Sequence, residues 1–104
     1  MSNRKRQRML NDSQLDAVAR HFKLLGEPMR LKILQAVCRE ARPVTDIVAA
    51  TGATQANVSR HLALLAGAGI LTRKKKGQCV YYGMTDPLTL KLCELVHHHV
   101  AGKG

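Results

Sequence analysis

The sequence predicts a mostly α-helical domain with a small β-hairpin, and three observations support this fold class. Apolar residues recur at helical spacing from Leu15 to Leu65. Two short helical segments are separated only by the turn TGAT at positions 51–54. A basic segment that contains glycine, RKKKGQ at 73–78, separates two runs of strand-forming residues. Together they predict a winged helix-turn-helix, an α+β fold of order α-α-α-α-β-β-α, within residues 11–101 of the 104-residue chain.

The boundaries of the five predicted helices follow from their capping residues. Residue types that suit a helix start are Asn11, Asp12 or Ser13 for the first helix, Pro28 for the second, Thr45 for the third, Thr54 for the fourth, and Asp86 with Pro87 for the last. Gly26, Gly52 and Gly67 end the first, third and fourth helices. The hairpin strands are 70–72 and 80–82, so four consecutive cations lie at the hairpin tip.

Charge and composition narrow the class of partner. Seventeen Lys and Arg residues against seven Asp and Glu give a formal net charge of +10, which favours a polyanion such as nucleic acid. Residues 1–10 are basic without periodicity and are expected to form a flexible arm. No stretch approaches the ~20 apolar residues of a membrane span, and no secretory signal is recognisable. With three cysteines, a reduced cytoplasmic protein without a membrane partner is expected.

No pattern in the sequence indicates an enzyme. It contains no paired carboxylates, no nucleophile with an adjacent base, no phosphate-binding loop and no cofactor fingerprint. A catalytic function is therefore not expected.

The fourth predicted helix and the hairpin together indicate contact with DNA. Off its apolar face, the helix carries amides, hydroxyls and a guanidinium, which bond to base edges and phosphates. Taken alone, this face is equally compatible with a solvated surface helix. Four cations on a hairpin directly after the helix favour contact with the adjacent DNA backbone or minor groove. The predicted DNA contacts are Thr54, Gln55, Ala56, Asn57, Ser59, Arg60 and His61 on the helix and Arg73, Lys74, Lys75 and Lys76 on the hairpin.

Three segments carry a family resemblance: LLGEPMRLKILQAV, VTDIVAATGATQANVSRHLALLAGAGIL and KKGQCVYYGMTDP. They resemble the ArsR/SmtB family of winged helix-turn-helix repressors over roughly residues 15–100. The resemblance implies a homodimeric repressor on a palindromic operator, released by an inducer that is commonly a metal ion or an oxidant. It also implies base-reading roles for Gln55, Ala56, Ser59 and Arg60. Ala56 stands where the family often has Ser, so one polar contact is expected to be absent.

The terminal helices also predict a homodimer from their own residues. The first helix has an apolar stripe, and the last has another that contains Leu88, Leu92, Leu95 and Val96. The small core between them cannot cover both stripes, whereas pairing the terminal helices of two chains would bury both. Two recognition helices would then face half-sites about one turn apart, ~34 Å.

The last predicted helix combines a thiol, a carboxylate and three imidazoles in CELVHHHV, residues 93–100. Cys93 and His97 are four residues apart, as are Glu94 and His98, so each pair lies on one side of the helix. Thiolate with imidazole suits a transition metal such as Zn, Ni or Co as the inducer. The predicted metal ligands are Cys93, His97, Glu94, His98, Asp86 and His99.

The metal sites of the family that the chain resembles are not intact in this sequence. The zinc-sensing branch uses Asp-x-His near the start of the last helix and His-x-x-His near its end, across the dimer. Asp86 and His99 match that pattern, but Leu88 and Gly102 occupy the other two positions and cannot bind a metal. The cysteine pair of the arsenic- and cadmium-sensing branches is missing from ARPVTDIV.

Other interpretations of the cysteines and of the whole chain remain open. Cys38 and Cys93 form a thiol switch for sulfide or an oxidant if their Cα atoms lie within ~7 Å; the family brings their two helices near each other. Alternatively, Asp86 is only an N-cap, Cys93 fills the interface, and the histidines are a solvated helix end. Two different functions also suit the composition: coating nucleic acid without sequence preference, and buffering metal ions with the His/Cys tail.

Overall fold

The computed structural model of the protein describes residues 9–103, so residues 1–8 of the predicted basic arm lie outside the described residues. The elements in chain order are α1 Asp12–Leu25, α2 Pro28–Val37, β1 Arg42–Pro43, α3 Val44–Thr51, α4 Gln55–Gly67, β2 Leu71–Lys76, β3 Cys79–Met84 and α5 Pro87–Lys103. The predicted winged helix-turn-helix is confirmed. The structure adds one short strand, β1, between the second and third helices.

Strand β1 completes a three-stranded antiparallel sheet of order β1-β3-β2. Pro43 of β1 pairs with Tyr81 of β3. Proline has no N–H to donate, and an edge strand is where a sheet tolerates it. Because Pro43 is extended (φ −69°, ψ 155°) and serves as the N-cap, α3 begins at Val44. The predicted cap Thr45 therefore lies inside the first turn, and the prediction for that boundary is wrong.

Local hydrogen bonds fix the starts of α1 and α4. Asn11 Oδ1 accepts from the Gln14 N–H at 2.8 Å, and the Gln14 side chain accepts from the Asn11 N–H at 3.0 Å, which is a capping box. Thr54 Oγ1 accepts from the Asn57 N–H at 3.2 Å. Gly52, at φ 71°, ends α3 in the left-handed conformation that favours glycine. The turn between α3 and α4 is thus defined on both sides.

The hydrophobic core is aliphatic apart from Tyr82. Fully buried aliphatic side chains come from α2, α3, α4 and the residue directly before β2, and include Ile33, Ile47, Val58, Leu62, Leu65 and Ile70. Burying each large aliphatic side chain contributes about 1.5–3 kcal/mol. The core therefore packs against one face of α4 and leaves the opposite face exposed to solvent.

Helices α1 and α5 leave a large apolar surface exposed. The side chains concerned are Leu15, Val18 and Phe22 on α1 and Leu88, Leu95, Val96 and Val100 on α5, with exposed fractions from 39% to 70%. Apolar surface of this extent is typical of a protein–protein interface. Within residues 9–103, no helix is both long enough and apolar enough to cross a membrane.

Candidate nucleic-acid interface

Helix α4 has a buried face and an exposed face. The buried face consists of Val58, His61, Leu62 and Leu65. The exposed face includes Gln55, Ala56, Ser59 and Arg60. A helix advances 3.6 residues per turn, so side chains three or four positions apart share a side. The four base-reading positions implied by the family resemblance therefore lie together on solvent-exposed surface.

Hydrogen bonds hold Arg60 on this exposed face. Arg60 Nη2 donates to Asn57 Oδ1 at 2.5 Å, one turn earlier on α4. Asn57 is half-buried, and its backbone N–H donates to the Thr54 cap. Within the protein, Thr54 orders the start of the helix and Asn57 holds the guanidinium of Arg60; that Thr54 and Asn57 also contact DNA stays a prediction.

His61 does not lie on the exposed face. Its side chain is only 5% exposed, and its Nδ1 accepts a hydrogen bond from Arg30 Nε at 3.2 Å. The prediction that His61 contacts DNA is therefore wrong. The physical reason is helical spacing, because His61 is three residues after Val58 and four before Leu65, both of which are fully buried.

An open groove, here called the inner groove, lies between α4 and the wing formed by β2 and β3. It is lined by side chains that include Thr45 of α3, Gln55 and Ser59 of α4, and Arg73, Gln78 and Tyr82 of the wing. Thr45 and Gln78 are outside the predicted set of contacts. The sequence does offer a signal for Thr45, because it lies on the helix directly before α4. No sequence signal distinguishes Gln78 from another turn residue.

The four cations of the wing lie on two opposite faces of strand β2. Arg73 lines the inner groove, and Lys75, two residues later and paired with Val80, shares its side. Lys74 and Lys76 point to the other side. All four side chains are exposed. The predicted hairpin tip is thus corrected: the cations belong to β2, and the turn that follows contains Gly77 at φ 61°.

The other side of the wing borders a second open groove, here called the outer groove. It is lined by residues that include Cys38, Arg39, Glu40, Lys74, Lys76 and Tyr81. Lys76 Nζ lies 5.5 Å from the centroid of the Tyr81 ring, a cation–π contact. Two of the four predicted DNA-contacting cations therefore lie on a surface that α4 does not share.

The predicted metal ligands of α5 are spread along an exposed helix. Glu94, His97, His98 and His99 are exposed, while Cys93 is half-buried against the core. Within residues 9–103, no three His, Cys, Asp or Glu side chains come together as metal ligands would. The described residues of a single chain therefore do not provide enough ligands for a complete metal site. Cys93 and His97, one turn apart, offer two ligands at most.

Asp86 is engaged within the protein at the start of α5. Its Oδ1 accepts from the Leu88 N–H at 3.3 Å, and its Oδ2 accepts from the Thr89 hydroxyl at 2.5 Å. The buried Thr89 oxygen in turn accepts from His21 Nε2 of α1 at 3.2 Å. The hydrogen bond from Thr89, above all, lowers the pKa of Asp86. These contacts support the capping interpretation of Asp86 over the metal-ligand interpretation.

The two cysteines of the predicted thiol pair lie at the end of α2 and on α5. Cys38 follows the last residue of α2, and its thiol donates to the Gln35 carbonyl oxygen at 3.3 Å. Burial raises the pKa of the Cys93 thiol, and the neighbouring Cys38 raises it further. Cys93 is therefore predominantly protonated at neutral pH.

The sequence of this chain is similar to those of known bacterial regulatory proteins. The family model described as bacterial regulatory protein, arsR family, matches residues 27–73. The HTH-type transcriptional regulator NmtR of Mycobacterium tuberculosis is 33% identical over 89 residues, which cover 85% of this chain and 74% of NmtR. The chain belongs to the ArsR family. The probable mercury resistance operon repressor of Streptomyces lividans is 35% identical to this ArsR-family protein over 80 residues. These residues cover 77% of this chain but only 64% of the length of the mercury repressor.

Two solved structures share the fold of this ArsR-family protein. The AntR antimony-specific transcriptional repressor has a TM-score of 0.83 and 30% identity, covering 91% of this chain and 86% of AntR. The homodimeric winged helix-turn-helix DNA-binding domain of Mb0332 from Mycobacterium bovis has a TM-score of 0.76 and 29% identity, covering 89% and 93%. The predicted family resemblance is confirmed. Membership in a family of regulatory proteins supports the expectation that the chain is a regulator and not an enzyme.

Proposed function

We propose that this protein is a homodimeric transcriptional repressor that reads operator DNA with α4 and the inner side of the wing. One observation carries the proposal: Gln55 and Ser59 of α4 line the same open groove as Arg73 of the wing. Amide and guanidinium groups on an exposed helix can make bidentate hydrogen bonds to base edges in the major groove. Cations beside that helix neutralise the flanking phosphates. Such a regulator would act in the cytoplasm.

The exposed surface of α1 and α5 supports the dimer. Leu95 on α5 is 70% exposed and Phe22 on α1 is 54% exposed, although both are large apolar side chains. Pairing these helices around a twofold axis would bury them and present two copies of α4. The Mb0332 domain, similar in fold and sequence, is described as homodimeric. Two copies of α4 on one side of a dimer suit a palindromic operator with half-sites ~34 Å apart.

Base discrimination tests this proposal against the coating of nucleic acid by charge alone. The probe is the duplex that the wild-type protein enriches from a random-sequence pool. Its affinity is compared by fluorescence anisotropy with that of a random duplex of equal length at one salt concentration. A repressor is expected to prefer the enriched duplex by about 10³-fold or more. A ratio near one would leave only charge-driven binding, to which a net charge of +10 is well suited.

We infer that the inducer is a metal ion that acts at Cys93. The half-buried thiol is the softest ligand on α5, and two similar repressors are named for mercury and antimony, which favour thiolates. His97 is one turn further along the helix, but one chain lacks a third ligand within residues 9–103. A complete site therefore requires ligands from the partner chain. Zn, Ni and Co ions suit the Cys93–His97 pair, and softer ions suit two thiolates.

A second candidate inducer is an oxidant that acts on two free thiols, Cys38 at the end of α2 and Cys93 on α5. Formation of a Cys38–Cys93 disulfide would transfer two electrons and two protons to a two-electron oxidant such as a hydroperoxide. The disulfide would join the end of α2, which packs on the recognition helix, to α5. Thiol oxidation and metal binding thus share Cys93 but differ in their second group.

Operator release distinguishes the two inducers. Metal salts and hydrogen peroxide are added to the complex of wild-type protein with the enriched duplex, and then to complexes of Cys93→Ser, Cys38→Ser and His97→Ala. Cys93→Ser should abolish release by either inducer while DNA binding is preserved. Loss of the metal response in His97→Ala alone supports the Cys93–His97 site, whereas loss of the peroxide response in Cys38→Ser supports the disulfide. A fully inducible Cys93→Ser variant would remove both proposals.

A further inference from the structure

The Arg30 side chain joins three helices. Arg30 belongs to α2, and its Nη1 donates to the Leu24 carbonyl oxygen in the last turn of α1 at 3.1 Å. Its Nε donates to Nδ1 of His61 on α4 at 3.2 Å. One planar guanidinium therefore links a helix with exposed apolar surface, α1, to the helix with the exposed polar face, α4.

The bond between Arg30 and His61 fixes the chemical state of the imidazole. An arginine Nε–H can only donate, so His61 Nδ1 accepts with its lone pair and the ring proton resides on Nε2. The His61 side chain is only 5% exposed, which shields this bond from water. Arg30 donates to two neutral acceptors, the Leu24 carbonyl oxygen and Nδ1 of the imidazole. The contact is therefore directional and is not an ion pair.

The other side chains on the buried side of α4 anchor the helix in the core but provide no directional bond. Val58, Leu62 and Leu65 are aliphatic, and dispersion contacts between such side chains have little angular preference. Hydrogen bonds, in contrast, weaken steeply when their angles deviate. His61 follows directly after Arg60, so a rotation of α4 that breaks the Arg30 bond also moves the guanidinium of Arg60 on the exposed face.

We propose that Arg30, through His61, is a positioning residue for base reading, which rests on the proposed function as a DNA-binding regulator. Neither residue touches DNA. Arg30 ties the rotation of α4 to the end of α1, and α1 meets the partner chain in the proposed dimer. The two reading helices of the dimer thereby keep a defined mutual orientation. Groups that read bases need placement within about 0.5 Å and 10–20°, which a directional bond can supply.

Four variants test this role. Arg30→Ala removes both donors, and Arg30→Lys keeps the charge but lacks the planar donor pair. His61→Leu removes the acceptor, whereas His61→Gln restores one. Lys32→Ala, an exposed cation on the same helix, is the control for loss of charge. Each is measured for affinity to the duplex enriched by wild-type protein and to a random duplex at equal salt, together with thermal unfolding and sedimentation of the dimer.

The ratio of the two affinities should fall about tenfold in Arg30→Ala, Arg30→Lys and His61→Leu, the order expected for a hydrogen bond donated by a charged group. His61→Gln should recover most of the ratio, and Lys32→Ala should retain it. An undiminished ratio in Arg30→Ala overturns the inference. If Arg30→Ala does not fold, Arg30→Lys and the contrast between His61→Leu and His61→Gln decide it in the same way. A wild-type ratio near one would instead refute the proposed function itself.

Discussion

Arg60 Nη2 donates a hydrogen bond to Asn57 Oδ1 at 2.5 Å, across one turn of α4. The bond engages one of the five N–H donors of the guanidinium. It holds the side chain along the exposed face of α4 and leaves other donors directed outward. A base-reading arginine that is already oriented loses less conformational entropy when it binds DNA. In the proposed interface, Asn57 would therefore contribute to recognition through Arg60, although it is itself half-buried.

This relationship predicts unequal effects of Arg60→Ala and Asn57→Ala. Arg60→Ala should cost about 1–3 kcal/mol on the enriched duplex and relax base preference at one position. Asn57→Ala should cost less, because the guanidinium remains but is no longer oriented. Competition binding against a set of single-base operator variants measures both. If Arg60→Ala weakens binding equally on every sequence, Arg60 contacts only phosphate and does not read a base.

The alternation of cations along β2 predicts that the wing binds DNA with one side. The double variant Arg73→Ala/Lys75→Ala should lower the slope of log affinity against log salt by about two, since each phosphate contact contributes about 0.9. Lys74→Ala/Lys76→Ala removes the same charge from the outer side and is the matched control. Its slope should change by less than half as much. Salt titrations of a random duplex suffice for this comparison, and identical slopes in the two variants would contradict one-sided binding.

Most of the fold could be predicted from local signals in the sequence. The face of a helix or strand on which an individual side chain lies was harder to assign. All five helices were predicted, and capping residues indicated the starts of four of them, because these residues act within one turn. Strand β1 escaped prediction because two residues carry no periodicity. The cations of β2 were assigned to a loop because exposed lysines on a strand give no apolar alternation.

His61 shows a different source of error in the candidate site. Its spacing from Val58 and Leu65 places it on the buried side of α4, and that signal was present in the sequence. Its polarity suggested the opposite side. Only the structure shows that Arg30, 31 positions away, supplies a hydrogen-bond donor that allows burial of the imidazole.

The network around Asp86 predicts a loss of stability in acid. The hydrogen bond from Thr89, together with backbone N–H groups and the nearby His21, lowers the pKa of Asp86 below its ordinary value of 3.8. A folded-state pKa below the unfolded value means that the unfolded state binds the proton more readily. The stabilisation is therefore present above pH 3.8 and is lost as pH falls through the lowered pKa. Thermal unfolding between pH 2 and pH 6 measures it.

Two substitutions separate the charge of Asp86 from its capping. Asp86→Asn keeps a good N-cap acceptor but removes the titration, so its melting temperature should depend less on pH in the acid range. Asp86→Ala should in addition lose about 1 kcal/mol at neutral pH. Asp16→Asn, on the exposed part of α1, is the control and should behave as wild type. An unchanged acid dependence in Asp86→Asn would show that other carboxyl groups cause the loss.

The exposed apolar surface of the terminal helices predicts that dimerisation and specific DNA binding fail together. Leu95 on α5 is 70% exposed, and burying a leucine contributes about 1.5–3 kcal/mol. Twofold symmetry places each residue in the interface twice, so Leu95→Glu should weaken the dimer by about 100-fold or more. Sedimentation equilibrium measures this directly. Leu64→Glu makes the same chemical change at a leucine of α4 that is 47% exposed, and it should remain dimeric.

The DNA consequence follows from the geometry of two half-sites. A monomeric Leu95→Glu protein keeps α4, the inner groove and all its cations, so its affinity for random DNA should be nearly that of the wild-type monomer. It loses the second recognition helix, however, and with it the gain from binding both half-sites at once. Its preference for a full palindrome over a single half-site should therefore disappear. A Leu95→Glu protein that is still dimeric, or a monomer that still prefers the palindrome, would place the dimer interface elsewhere.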